Sequence, residues 1–207
     1  VPHGSSRDHD GQTRWSRATL LLHGLNEKSW HKYLPWAFRL AQETSAPVIL
    51  FPAAFHVNRA PAVWSDPREM MQVARERQRL FPALQASTFA NVALSHRVQF
   101  APHRFLTSSF QTYYDLTDLA RSIRTGTHPL FTTGASLDFF GYSIGASLAE
   151  LLVLGNPERL FSHSRLFLFC GGSLLDQSQP VSRAIIDDAA FRGLEAYLAR
   201  LDEDPRA

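Results

Sequence analysis

Residues 141–145 have the sequence Gly-Tyr-Ser-Ile-Gly, in which a serine has a glycine two residues before it and another two residues after it. Residues 135–140 before it are mostly apolar and predict a buried strand. Residues 146–154 after it predict a helix that Gly-Asn-Pro at 155–157 ends. The two glycines allow the backbone to turn sharply between strand and helix, which lifts the hydroxyl of Ser143 above the sheet. We therefore interpret this serine as a nucleophile presented at a strand–helix turn.

The composition is that of a globular protein with a sizeable core. The chain has 207 residues, of which 44% are hydrophobic and 19% charged, and its net charge is +2. Because this excess is small and scattered, we expect no nucleic-acid partner. No apolar run reaches the roughly 18–20 residues of a membrane span, and residues 1–10 lack the apolar centre of a secretory signal. We expect a cytoplasmic protein without a membrane span.

Short apolar runs alternate with helical patterns along much of the chain. We expect residues 1–16 to be flexible. The predicted strands cover 18–22, 47–51, 135–140 and 165–170, and the predicted helices cover 29–43, 113–123, 146–154 and 181–201. Such alternation is typical of an α/β fold with a mostly parallel sheet and helices on both faces. Cys170, the single cysteine, ends an apolar run and is predicted to be buried, and one cysteine excludes an internal disulfide.

Residues 52–110 do not follow this alternation. A helix is predicted to begin near Pro67 and to end at Phe81, and a weaker one covers 87–97. The basic stretch at 75–79 is interpreted as a solvated helix face. The segment is rich in aromatic and apolar residues and much longer than an ordinary loop. We interpret it as a helical, cap-like insertion that forms an acyl or alcohol pocket.

A second landmark lies at residues 23–26, which have the sequence His-Gly-Leu-Asn and follow the predicted strand at 18–22. A strand ending in His-Gly and, later, a strand–serine–helix turn resemble the α/β-hydrolase superfamily of serine esterases and lipases. This resemblance implies that Ser143 is the nucleophile and that the backbone N–H of Ile144 is one donor of an oxyanion hole. The other donor would be the N–H of Leu25 or Asn26.

The resemblance also implies a domain over residues 17–207 with the insertion at 52–110. It implies a small-molecule ester or acyl substrate, an acyl-enzyme and no cofactor. The superfamily's chain order is serine, then acid, then histidine, yet the one histidine after Ser143 is His163, expected at the opposite edge of the sheet. We expect either that the chain is an incomplete domain or that another histidine serves as base. In the insertion, His96 and His103 are possible substitutes.

The remaining candidate residues have weaker support from the pattern. His23 and Gly24 are expected to line the substrate site, with His23 shaping the turn rather than acting as base. His56 follows the second strand and is expected at the same sheet edge. Asp176 is a possible triad acid, with a turn or helix cap as the alternative. The aspartates at 187–188 are interpreted as a solvated helix face.

Two other functions stay open from the sequence. One is a hydrolase-fold protein that binds a ligand or partner without turnover, which the absence of an evident triad histidine favours. The other is an acyltransferase that uses the same serine with an acceptor other than water. The sequence has no histidine, cysteine and carboxylate spacing typical of a metal site, and no glycine-rich dinucleotide or phosphate loop.

Overall fold

The structure is a computed structural model that describes residues 4–7, 11–171, 179 and 181–201. The chain folds into two compact units. The first unit contains Val1–Ala53 and Thr112–Gly172, and the second contains Ala54–Gln111 and Ser173–Ala207. The described strands and α-helices are, in chain order, β1 (Ser5–Arg7), β2 (Thr13–Leu22), α1 (Leu34–Thr44), β3 (Val48–Phe51), α2 (Pro67–Leu80), α3 (Val92–Phe100), α4 (His103–Thr125), β4 (Phe131–Tyr142), α5 (Ile144–Gly155), β5 (Leu166–Phe169) and α6 (Asp188–Leu198).

The first unit contains one mixed sheet with β2 at its centre. One edge of β2 pairs with β4 in parallel, and β4 pairs with β5 in parallel. The other edge of β2 pairs with β1 antiparallel near its start and with β3 in parallel over Thr19–Leu22. The fold is therefore α/β, with one antiparallel and three parallel pairings among the described strands.

Alternate side chains of the central strands enter two different cores. Leu20 and Leu22 of β2 are buried with Phe139 of β4 against helices α4 and α5. Leu21 points to the opposite face, where it packs with Tyr33 and with Ala37 of α1. Because successive residues of a strand face opposite sides, helices cover both faces of this sheet. Because β2, β3, β4 and β5 are parallel, their carboxyl ends lie at the same edge of the sheet.

The second unit is helical. Helix α2 begins at Pro67, as predicted, because the carboxylate of Asp66 accepts the N–H groups of Arg68 at 2.8 Å and Glu69 at 3.4 Å. The weaker helix predicted at 87–97 is α3, which begins later, at Val92. The helix predicted at 181–201 is the shorter α6, which packs against α3. The C-terminal helix therefore belongs with the helices of the insertion rather than with the sheet.

The interpretation of two charged stretches in this unit as solvated helix faces was wrong at one residue of each. Arg77, predicted on a solvated helix face, has 1% of its surface exposed, and Asp187 has 0%. The guanidinium of Arg77 binds both carboxylate oxygens of Asp187, at 2.6 and 2.7 Å. Local periodicity does not report such a pair, because its members lie 110 residues apart in the chain.

Two further predictions in the first unit need correction. The segment 1–16, predicted to be flexible, contributes β1 and the start of β2, which pair with each other between Ser5 and Trp15. Cys170, predicted to be buried, is exposed. It follows β5, whose second edge pairs with no strand among the described residues, and Phe167 in that strand is 57% exposed. An apolar run predicts a strand here but not its burial.

Candidate active site

Ser143 lies between β4 and α5 in a backbone conformation that is rare for a residue with a side chain. Its φ is 54° and its ψ is −123°. Such geometry costs of order 1–3 kcal/mol and persists where neighbouring contacts fix it. Here the N–H of Ser143 donates to the carbonyl oxygen of Phe169 at 3.0 Å, and its own carbonyl accepts from Ala146 at 2.8 Å. The turn is therefore held from both sides, and the serine side chain is half-buried.

The two glycines of the turn permit backbone contacts that a side chain would prevent. A Cβ on Gly145 would lie 2.6 Å from the carbonyl oxygen of Leu22, at the end of β2. A Cβ on Gly141 would lie 2.6 Å from the Cα of Ala146. The first distance shows that the start of α5 crosses directly over the end of the central strand. The glycines thus set how closely the helix approaches the sheet.

The His-Gly turn after β2 lies against Ser143. A Cβ built on Gly24 would lie 3.5 Å from the Cβ of Ser143 and 3.0 Å from the ring of Tyr142. The two sequence landmarks, more than a hundred residues apart in the chain, are therefore neighbours at the carboxyl edge of the sheet.

The imidazole of His23 is buried, and both of its nitrogens have backbone partners. The N–H of Ala53 donates to Nε2 at 2.9 Å, so this nitrogen must be an acceptor. Nδ1 lies 2.8 Å from the carbonyl oxygen of Gly24 and must then carry the proton. Burial lowers the pKa of His23, which favours this neutral form. His23 therefore joins the turn after β2 to the segment after β3.

A group of residues just beyond the His-Gly turn was not identified from the sequence. The N–H of Gly24 donates to the phenolic oxygen of Tyr33 at 2.9 Å, and the Tyr33 hydroxyl donates to the carboxylate of Glu27 at 2.7 Å. Glu27 also pairs with Lys32, whose ammonium lies 4.5 Å from the centre of the Tyr142 ring. Burial raises the pKa of Tyr33, so the phenol stays protonated and able to donate. The signal in the sequence is a tyrosine at helical spacing within the predicted helix 29–43, a pattern that indicates a buried ring but does not report what its hydroxyl binds.

The two backbone amides expected to bind an oxyanion lie at the start of α5 and in the turn after β2. Ile144 is the first residue of α5 and 37% exposed, and its N–H has no partner within the helix. The helix dipole favours negative charge at this end. Leu25 is half-buried and directly follows Gly24. Since the Gly24 N–H already binds Tyr33, the next amide along the turn is that of Leu25, and Asn26 follows with a φ of 61°.

The other candidate histidines are distributed over both units. His163 precedes β5 and therefore lies at the amino edge of the sheet, opposite Ser143, as predicted. His56 belongs to the second unit, where it is buried with Nδ1 2.9 Å from the carbonyl oxygen of Ala54. His96 and His103 also belong to that unit, in α3 and at the start of α4.

Asp176, the possible triad acid, lies outside the described residues. Asp187 forms an ion pair with Arg77, and it caps α6 by accepting a hydrogen bond from the N–H of Ala190 at 2.9 Å. Across the described part of the chain, no three histidine, cysteine or acidic side chains are grouped so that they could hold a metal ion. Nor does any described helix combine the length and apolar character needed to cross a membrane.

A comparison with protein families places this chain. The model of a family of unknown function, DUF6051, matches residues 7–204. The chain belongs to this family. The match extends over segments of both units, so the family comprises the sheet, the insertion and α6 together. No curated protein and no solved structure matches this member of DUF6051.

Proposed function

We propose that this protein is a serine hydrolase of the α/β-hydrolase type that cleaves a carboxylic ester or a related acyl bond. The observation that carries the proposal is the backbone of Ser143, at φ 54° and ψ −123° between a parallel strand and a helix. A nucleophile elbow needs a serine in such a strained turn, so that its hydroxyl stands above the sheet. The close approach of Gly24 to this serine adds a second element expected of that type of site.

In the proposed reaction Ser143 Oγ attacks the carbonyl carbon of the substrate and its proton passes to a general base. The N–H groups of Ile144 and Leu25 stabilise the oxyanion that develops on the carbonyl oxygen, and one such donor is typically worth about 10² to 10³ in rate. The alcohol then leaves with a proton, and the acyl group remains on Ser143. Attack by water releases the acid and restores the serine.

The general base of this reaction is not His23. Its Nε2 accepts from Ala53 and its Nδ1 donates to Gly24, so neither nitrogen is available to take the proton of Ser143. A base supplied from elsewhere satisfies the proposal, and His96 and His103 stay the candidates named from the sequence. Because both nitrogens of His23 are bound to the backbone, the second function is also supported, namely binding of a ligand or partner without turnover.

Ester hydrolysis separates these two functions. We expect the protein to hydrolyse p-nitrophenyl esters, with a rate that falls to background in Ser143→Ala. Ser147→Ala is the matched control, because Ser147 lies four residues further on in α5 and should leave the rate unchanged. Equal rates for Ser143→Ala and Ser147→Ala would rule out Ser143 as nucleophile. Binding of the ester without hydrolysis by the native protein would favour the non-catalytic function.

A further inference from the structure

We propose that Tyr33, supported by Glu27, is a positioning residue that holds the turn after β2 in the geometry needed for oxyanion binding. This inference rests on the proposed function of Ser143. It concerns a hydroxyl group that donates to one partner and accepts from another within the same turn.

Tyr33 directly precedes α1 and lies against the turn after β2. Its side chain is fully buried beneath the turn, in the core formed with Leu21 and Ala37. The ring packs edge-on against His23 at 6.4 Å and Tyr142 at 6.1 Å between ring centres. The phenol is thus fixed between the residue that begins the turn and the residue that precedes Ser143.

The Tyr33 hydroxyl accepts one hydrogen bond and donates another. The Tyr33 oxygen accepts from Gly24 N–H and its hydrogen is directed to Glu27, so the phenol cannot rotate freely. A donor to a carboxylate is more strongly polarised than a neutral one, which strengthens the bond it accepts in turn. Glu27 is itself held by Lys32, which sits over the rings of Tyr33 and Tyr142.

The peptide units on both sides of Gly24 are held by hydrogen bonds. Tyr33 binds the Gly24 N–H, which belongs to the peptide unit before Gly24. His23 binds the Gly24 carbonyl, which belongs to the peptide unit that ends in the Leu25 N–H. Fixing this peptide plane fixes the direction of the Leu25 N–H. An oxyanion donor must be in place before the reaction, because donors that reorient during the reaction lose most of their effect.

Tyr33→Phe tests the role, because it removes one oxygen and keeps the buried ring. We expect kcat for ester hydrolysis to fall about 10- to 100-fold with KM changed by less than about 2-fold, since misplaced catalytic groups affect the transition state. Glu27→Gln keeps an acceptor for the Tyr33 hydroxyl, so its kcat should fall less than that of Tyr33→Phe. Tyr114→Phe is the matched control, because Tyr114 is exposed on α4, and should leave both constants unchanged.

A measurement independent of activity uses protein labelled with ¹³C-carbonyl histidine and ¹⁵N-glycine. Two His-Gly pairs occur in the sequence, so the selected spectrum reports the amides of Gly4 and Gly24. In Tyr33→Phe we expect the Gly24 amide proton to move upfield, while that of Gly4 stays in place. An unchanged Gly24 signal, or a kcat equal to that of Tyr114→Phe, would overturn the positioning role. If the native protein is not an esterase, the proposed function fails, and the Gly24 signal still tests the hydrogen bond.

Discussion

The guanidinium of Arg77 holds both carboxylate oxygens of Asp187 in a fully buried pair within the helical unit. The pair joins α2 to the start of α6, and the Asp187 N–H is held in turn by the hydroxyl of Ser95 at 3.0 Å. Removing one member leaves a buried charge without its counter-ion, which typically costs 3–5 kcal/mol. We therefore expect Arg77→Met to lower the free energy of unfolding of this unit by about 3–5 kcal/mol.

Urea denaturation monitored by circular dichroism measures this change. Arg79→Met is the control, because Arg79 is exposed on the same helix and its loss should cost less than about 0.5 kcal/mol. The double variant Arg77→Met with Asp187→Asn should be less destabilised than the sum of the two single variants. Additive effects of the two substitutions would show that the pair is not coupled.

The glycine at the start of α5 is expected to tolerate no side chain. In Gly145→Ala the new methyl group would meet the backbone oxygens of Leu22 and His23 at 2.6 and 2.7 Å. Since backbone atoms cannot move aside cheaply, we expect a loss of about 1–3 kcal/mol in the free energy of unfolding. Gly155→Ala at the other end of the helix meets only the Tyr113 hydroxyl, at 3.6 Å, and should be neutral or stabilising. Thermal denaturation of the two variants makes the comparison, and equal melting temperatures would contradict the close approach.

Backbone strain at Ser143 predicts that the stability of a variant depends on whether the new residue tolerates a positive φ. Ser143→Gly relieves the positive φ, whereas Ser143→Ala retains it. We expect the glycine variant to be more stable than the alanine variant by about 1 kcal/mol, although glycine costs more chain entropy on folding. Chemical denaturation of the two inactive variants measures the difference. An alanine variant as stable as the glycine variant would show that the turn carries no strain.

The neutral state of His23 predicts a loss of stability in acid. Burial depresses the pKa of His23 in the folded protein below the ordinary value of 6.5. The unfolded chain therefore binds the proton more readily, so this contribution to stability is complete above pH 6.5 and is lost as the pH falls below it. We expect the free energy of unfolding to decrease from pH 7 to pH 5. His23→Gln, whose amide oxygen can accept from Ala53, should show a weaker dependence over this range. The same slope in both proteins would exclude His23 as its source.

The sequence predicted the elements that local patterns encode. The strand–serine–helix turn was predicted from the glycines flanking Ser143 and from the change from a strand-like to a helix-like pattern of apolar residues. The start of α2 was predicted from Pro67, and the structure shows that Asp66 caps it. Long-range relationships were missed or misread. The burial of Arg77 depends on a partner 110 residues away, and the exposure of Cys170 depends on whether β5 has a neighbour.

The candidate site likewise has parts that local sequence patterns predict and parts that depend on long-range contacts. The resemblance implied that the His-Gly turn lies beside Ser143, and in the structure Gly24 and Ser143 are neighbours. The hydrogen bonds of Tyr33 and the two backbone partners of His23 could not be predicted, because they depend on how the turn folds back over the sheet. A tyrosine at helical spacing predicts a buried ring, but this pattern does not predict which groups its hydroxyl binds.

Covalent labelling of the native protein with a fluorophosphonate, followed by mass spectrometry of its peptides, tests directly whether Ser143 is a nucleophile. We expect one phosphonyl group per chain, on Ser143, with no labelling of Ser143→Ala and normal labelling of Ser147→Ala. No modification of the native protein, or modification at another residue that persists in Ser143→Ala, would contradict the claim that this serine is a nucleophile.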